Sequence, residues 1–317
     1  MSNNSIQKKI FKKRVLFIGI PDMAYICLDG LQMFGVNIVG VMGAKKDHNT
    51  YENFKSFVNS RDLNFIEYDK LKDETFIQKI KDLKIDIAVV CSFNYKIPKV
   101  FLDSVKDGFI NVHPSLLPNY RGKNPYSSVI ANNEQTTGVT LHFMDEGWDT
   151  GDIIAQQQLH ISPRETMGTI FNRLNLLGME LLVKALEFYE NNELPRVAQP
   201  EGEFVEGLDF SDEAIFIDYK KSAEEIGSFI RALNPFIIAS TTFRNTFVKV
   251  FSAQPIEKLE KSDYPVGAIV KITNDKFYIK TQDGLIAPTV LQFGNFFTGT
   301  AQDFINILSP QIGEKFE

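Results

Sequence analysis

Two stretches carry side chains whose types and spacing could do chemistry. The first is "FINVHPSLLPNYRG", residues 109–122. Apolar or small residues lead to Asn111 and His113, two positions apart, and Pro114, Pro118 and Gly122 then end regular structure. Residues i and i+2 of a strand face the same way, so an amide and an imidazole are predicted side by side at a strand tip. The second stretch is "GVTLHFMDEGWDTGDIIAQ", residues 138–156. A strand-like run there enters a loop that Gly147 and Gly151 bracket and that presents Asp149. An amide can donate to a carbonyl oxygen as it turns negative. An imidazole shuttles a proton near neutral pH, and a carboxylate orients it or favours its protonated form. Such a trio suits acyl transfer through an oxyanion. Neither stretch offers a nucleophile, because Ser115 lies between Pro114 and Leu116, outside the Gly-x-Ser-x-Gly elbow that exposes a serine. Direct attack by an external nucleophile fits better than a covalent intermediate.

Taken singly, each residue has a plainer reading. His113 could be a satisfied strand-end histidine, and Asp149 a turn residue beside glycine. Asp145 and Glu146 read as loop formers or water contacts. His142 alternates with Thr140 and reads as a packing or locally hydrogen-bonded residue. Arg121 reads equally as a grip for an anion and as an ordinary loop cation. It is the two stretches together that argue for a site.

The elements that must position them follow an alternating pattern. Strands are expected at 14–20, 36–43, 64–68, 85–93, around 109–113, and near 137–144 and 152–161. Helical spacing marks the segment ending at Gly35, the region of Phe54, Phe57 and Val58, residues near 73–83, a short piece after Pro98, residues 125–132, and 166–190. This rhythm predicts an α/β, Rossmann-like, mostly parallel sheet with helices on both faces. Ligands of such sheets bind beyond the strand C-termini, where Asn111 and His113 fall. The junction "GIPDMA" lacks the G-x-G-x-x-G fingerprint of a dinucleotide site. The expected division is a catalytic domain over 1–190, a polar linker over 191–204 with Pro and Gly, and a second, smaller, mostly β, open-barrel-like domain over 205–317. That last domain starts with a Ser-capped amphipathic helix at 222–233 and continues with strands such as "TFVKVFSA", "GAIVKI", "KFYIKT" and "GLIAPTVLQF".

A length of 317 residues accommodates two such domains. The net charge of −6 gives no footing for a general nucleic-acid binder. Cys27 and Cys91 sit in apolar segments, as buried residues of a reducing compartment do. The four histidines show no ligand spacing, so no metal is expected. The polar, basic start "MSNNSIQKKIFKKR" reads as a solvated tail. The run "VLFIGI" is too short for a signal-peptide core or a membrane span. A cytoplasmic chain without membrane contact is the expectation.

"FINVHPSLLPNYRGKNP" followed by "TGVTLHFMDEGWDTGDII" resembles the formyltransferase family that uses 10-formyltetrahydrofolate, which includes methionyl-tRNA formyltransferases and nucleotide-sugar N-formyltransferases. "SAEEIGSFIRALNPF" and "GAIVKITNDKFYIKTQDG" are similar to the C-terminal domain of the tRNA enzymes, so the resemblance spans nearly the whole chain from about residue 14. It implies a catalytic trio of Asn111, His113 and Asp149, with a substrate amine attacking the formyl carbon of the folate. It places the folate against Phe93, Tyr95 and Ile97, against Leu116 and Leu117, and against Met144, Asp145 and Gly147. Tyr120 and Arg121 would meet the acceptor. No metal or prosthetic group is implied, and a homodimer is left open.

The acceptor is less legible. Residues 205–317 carry 11 Lys and Arg against 15 Asp and Glu, whereas a tRNA partner calls for cationic surface. The resemblance also implies a basic P-x-R-x-x-G-R loop after the second strand of tRNA enzymes; here the region reads "MGAKKDHNTYENFKSF". These features favour a nucleotide-linked amino sugar, with initiator Met-tRNA as the alternative. A formyltetrahydrofolate hydrolase and a catalytically dead folate-binding homologue are further alternatives.

Overall fold

The computed structural model describes residues 11–21, 23–201, 204, 205, 207, 208, 214–256 and 263–317. Residues 1–10 of the Lys-rich start lie outside these. The chain runs β1 (Val15–Gly19), α1 (Met23–Met33), β2 (Ile38–Met42), α2 (Tyr51–Asn59), α3 (Glu74–Asp82), β3 (Ile87–Cys91), α4 (Lys99–Leu102), β4 (Phe109–His113), α5 (Pro125–Ala131), β5 (Thr136–Phe143), β6 (Ile153–His160) and α6 (Met167–Tyr189). β1 and β3 are buried at every position, as continuous apolar strands covered on both faces must be. The sheet order is β2-β1-β3-β4-β5-β6. Pairing is parallel from β2 through β4, and β5 then runs antiparallel to β4. The sheet is therefore mixed, parallel from β2 through β4 with β5 reversed, and the change of direction at β5 falls beside Asn111 and His113. The strand expected at 64–68 forms only a single parallel bridge, Phe65 to Val41. Ile66 N donates to Val41 O at 2.8 Å, and Tyr68 OH then bonds Gly43 O. Ile66 and Tyr68 are buried, so this segment satisfies its apolar alternation by packing rather than by a ladder.

The later elements are α7 (Ala223–Leu233), β7 (Ala239–Phe243), β8 (Thr246–Ile256), β9 (Ile269–Ile272), β10 (Phe277–Lys280), β11 (Leu285–Phe293), β12 (Phe297–Thr300) and α8 (Ala301–Leu308). Ser222 caps α7 in a reciprocal box: its Oγ accepts from Glu225 N at 3.1 Å, and Glu225 Oε2 accepts from Ser222 N at 2.8 Å. The strands form one sheet, β7-β8-β11-β10-β9, with β12 on β11 and antiparallel pairing throughout. The last residues bridge its two ends, Phe316 to Phe243 on β7 and Lys315 to Ala268 beside β9, which closes the sheet on itself. Phe243, Phe277, Phe304 and Phe316 fill the enclosed core.

Two compact units emerge. One runs through Gly122 and adds Gly138–Leu159 and Asn172–Glu206; the other takes Lys123–Thr137, His160–Phe171 and Gly207–Glu317. α5 packs on α7 within the second unit, which is why a segment early in the sequence groups with the C-terminal elements. Among the described residues, no helix is long and apolar enough to cross a membrane.

Candidate functional site

β4 ends at His113, and its neighbour β5 enters the loop that carries Asp149. Across this antiparallel pair Asn111 stands opposite His142, and His113 opposite Thr140. The segment after β4 is pinned to β5. Thr140 Oγ1 donates to Ser115 O at 2.7 Å and accepts from Leu117 N at 3.1 Å, and Gln156 Nε2 donates to Leu117 O at 2.8 Å. The Ser115 hydroxyl donates to Asn119 O at 2.8 Å, so it serves the loop.

The loop after β5 is as tight as its glycines imply. A Cβ at Gly151 would lie 1.9 Å from Phe143 O, and one at Gly147 would lie 2.0 Å from Thr150 Oγ1. Asp145 Oδ1 accepts from Gly147 N at 2.9 Å and from Thr150 Oγ1 at 2.7 Å. Asp145 is thus the staple of the turn. The path leaves Asp149 in the left-handed region, with φ of 54°, which a residue with a Cβ adopts only when its surroundings compel it.

Asp149 is the hub. Its Oδ1 accepts from Asn111 Nδ2 at 3.1 Å and lies 3.3 Å from His142 Nε2. Its Oδ2 accepts from Gly122 N at 2.8 Å and lies 3.5 Å from His113 Nδ1. Burial pushes the carboxyl upward, but His113, His142 and the Gly122 N–H outweigh it and hold the group well below the usual carboxylate range. Asp149 is therefore ionised at neutral pH. Asn111 Nδ2 also lies 3.1 Å from His142 Nε2, so its two hydrogens face a carboxylate and an imidazole nitrogen. The His142 Nδ1 stands 2.8 Å from Phe143 O. A carbonyl only accepts, so Nδ1 carries hydrogen, while Nε2 faces both the Asn111 amide and the Asp149 carboxylate.

His113 is fixed by the same reasoning. Its Nε2 lies 2.8 Å from Tyr120 O, so Nε2 carries the hydrogen and Nδ1 holds the lone pair of the neutral ring. Burial lowers the His113 pKa, opposed by Asp149 and assisted by His142. His113 thus rests neutral, its accepting nitrogen beside a carboxylate that would receive the hydrogen bond once that nitrogen is protonated. This arrangement can take up a proton and keep the resulting imidazolium oriented.

The remaining expected residues divide by burial. Phe93 and Met144 pack against the same apolar cluster as Ile97, and Phe93 meets Tyr95 edge-on at 5.2 Å. Ile97 and Leu117 are each 3% exposed, so their side chains belong to the interior. Leu116 is half-buried, and Asp145 and Gly147 are exposed. Tyr120 is buried and contributes its carbonyl. Arg121 Nε and Nη2 donate to Gln199 Oε1 at 3.1 and 2.6 Å, with the guanidinium 4.9 Å over the Phe204 ring.

Two residues enter the cluster that sequence reading did not assign to it, His142 and Gln199. The first would have needed the direction of β5 against β4. The second sits in a stretch that reads as linker. Among the described residues, no group of three or more His, Cys, Asp or Glu side chains could hold a metal ion.

Two family models match successive stretches of the chain. Residues 13–186 match a family model described as formyl transferase, and residues 210–309 match one described as the formyl transferase C-terminal domain. A methionyl-tRNA formyltransferase of Clostridioides difficile (strain 630) is 33% identical over 291 residues, covering 89% of this chain and 93% of that protein. One from Halothermothrix orenii is 31% identical over 312 residues, covering 95% and 99%. Among solved structures, an N-formyltransferase from Helicobacter canadensis, in complex with folinic acid and dTDP-3-aminofucose, superposes with a TM-score of 0.66. It is 20% identical and covers 87% of this chain and 98% of its own, a likeness of fold.

Proposed function

The chain belongs to the formyl transferase family, and from that premise we propose that it moves a formyl group from 10-formyltetrahydrofolate to the amine of methionyl-tRNA. The observation that carries the acceptor is full-length similarity through both domains to methionyl-tRNA formyltransferases. This shifts the weight from the nucleotide-linked amino sugar, which the charge pattern favours, to the tRNA. The sugar reading keeps two supports in the chain itself, the net acidic composition of residues 205–317 and the region "MGAKKDHNTYENFKSF" where the tRNA enzymes' basic loop would stand.

The amine nitrogen attacks the formyl carbon, a C–N bond forms, and the carbonyl electron pair moves to oxygen. His113 Nδ1 takes the proton that the amine sheds, and Asp149 Oδ2 receives the new N–H. Asn111 donates to the oxyanion. Its hydrogen on His142 is the one to trade, because the carboxylate is the stronger acceptor. The oxyanion then collapses, the bond to the folate nitrogen breaks, and that nitrogen leaves with a proton returned from His113. Phe93, Tyr95, Leu116 and Met144 flank the strand ends with accessible apolar surface suited to a flat ring. Positioning two substrates together supplies much of the acceleration.

The test is a side-by-side assay of the protein with 10-formyltetrahydrofolate and, separately, Met-tRNA and a panel of nucleotide-linked amino sugars. Formyl-Met-tRNA is the expected product. Formylated sugar with untouched tRNA would overturn the acceptor, and formate release without any acceptor would mark a hydrolase.

A further inference from the structure

Gln199 lies between the two segments that match family models, yet its side chain reaches the candidate site. Its Nε2 donates to Asp149 O and to Gly151 O, both at 2.8 Å. Its Oε1 accepts from Arg121 Nε and Nη2. Both amide hydrogens and both oxygen lone pairs are thereby engaged, which fixes the orientation of the amide. The two carbonyls flank Thr150, in the tight turn that holds Asp149 at a φ of 54°.

We infer that Gln199 is a positioning residue for the acyl-transfer reaction. By clamping the carbonyls of Asp149 and Gly151 it holds the Asp149 backbone in the left-handed conformation, and so sets the carboxylate against Asn111, His113 and Gly122. Arg121 braces the clamp from behind. The inference rests on Asp149 acting in formyl transfer. Without the clamp the turn relaxes, and a displacement of about 1 Å at a reacting constellation costs on the order of a hundredfold in rate.

The substitution that tests this is Gln199→Met, which keeps the side-chain volume and loses every hydrogen bond. One readout needs no substrate: the imidazole titration of His113 followed by NMR. The titratable groups facing His113 are Asp149 and His142. The Asp149 carboxylate holds the His113 proton affinity up against burial and His142, so its withdrawal should move the midpoint to lower pH by about half a pH unit or more. The other readout is turnover with the acceptor the wild type formylates. The expected result is kcat lower by about 10- to 100-fold, KM for either substrate within about threefold, and little change in thermal midpoint. Asp149→Asn is run alongside. An unmoved His113 midpoint overturns the clamp whatever the reaction. Normal kcat in Gln199→Met beside an inactive Asp149→Asn overturns the positioning role and leaves the catalytic reading standing. Full activity in Asp149→Asn sinks that reading, and the inference with it. Gln199→Glu keeps the acceptor for Arg121 and loses both donors, so it gives the same comparison if the Met variant folds poorly.

Discussion

The two units bury different things. The first packs a sheet core around Leu16, Ile18, Ala88 and Val90, with Phe76, Phe101 and Phe109 edge to face beside them, and at the ends of β4 and β5 it buries His113 and His142 against Asp149. The closed sheet of the second stacks phenylalanines: Phe243 on Phe316 at 4.6 Å, Phe277 on Phe304 at 5.0 Å, and Phe277 nearly parallel to Phe316 at 5.8 Å. Around the closed sheet and α7 its buried polar side chains are the hydroxyls of Ser228, Ser240, Thr241 and Thr281; the unit's buried carboxylate, Glu165, lies outside that core and accepts from Ser162 N at 2.9 Å. Interring ionisable groups is costly unless they are paired, and such clusters concentrate where function requires them. One core therefore encloses the ionisable cluster to which we assign the chemistry, and the other is built for cohesion. Substitutions should dissociate accordingly, with activity lost and stability kept in the first, and the reverse in the second.

The largest expected effect is in the first unit. His113→Ala and Asp149→Asn should each lower turnover by about 10² to 10⁴-fold, the range associated with removing a positioned acid or base. The thermal midpoint should stay close to that of the wild type. A parallel collapse of stability and activity would break the contrast, because it would make the cluster a structural one. Next in size is Phe304→Ala in the second core. Phe304 is fully buried and touches the rings of Phe243, Phe277, Phe293, Phe297 and Phe316. Truncation should cost about 3–5 kcal/mol, read as a lower denaturation midpoint, with the low-temperature His113 titration unchanged. A shifted His113 titration would show that the two cores are not separable.

The contrast also explains what was legible in the sequence. Asn111 and His113 are local: period two at the end of an apolar run is enough to pair them. Asp149 is nearly local, since Gly147 and Gly151 announce a constrained loop. The alternating elements gave the sheet and most strand positions. Segment 64–68 has strand-like alternation but makes one bridge, because β-propensity reports fit to a half-buried surface rather than pairing. His142 reads as a packing or locally hydrogen-bonded residue, and it is buried with Nδ1 on Phe143 O; nothing in its own strand reveals that β5 runs against β4 and sets it opposite Asn111. Gln199 was invisible for a different reason. Its partners are backbone carbonyls about fifty positions away, and a polar stretch with prolines carries no periodicity from which to infer a contact. The grouping of α5 with α7 was hidden likewise, being decided by packing across some hundred residues of sequence.

The smallest effect sharpens the comparison most finely. Ser222 caps α7, and its oxygen satisfies Glu225 N while Glu225 returns the bond to Ser222 N. Ile226, Ile230 and Leu233 of α7 belong to the phenylalanine-rich core, so fraying at its first turn loosens that core from one side only. Ser222→Ala removes one partner of an orphan N–H and should destabilise the protein by about 1 kcal/mol. At this size the midpoint falls by a few degrees, roughly the shift expected for a domain of some 150 residues. Glu225→Gln should cost less, because an amide oxygen can still accept from Ser222 N and only the charge near the helix start is lost. If the two substitutions cost the same, charge rather than the hydrogen bond is what holds the turn. In neither variant should the His113 titration or the turnover per folded molecule change, since the cap holds the cohesive core.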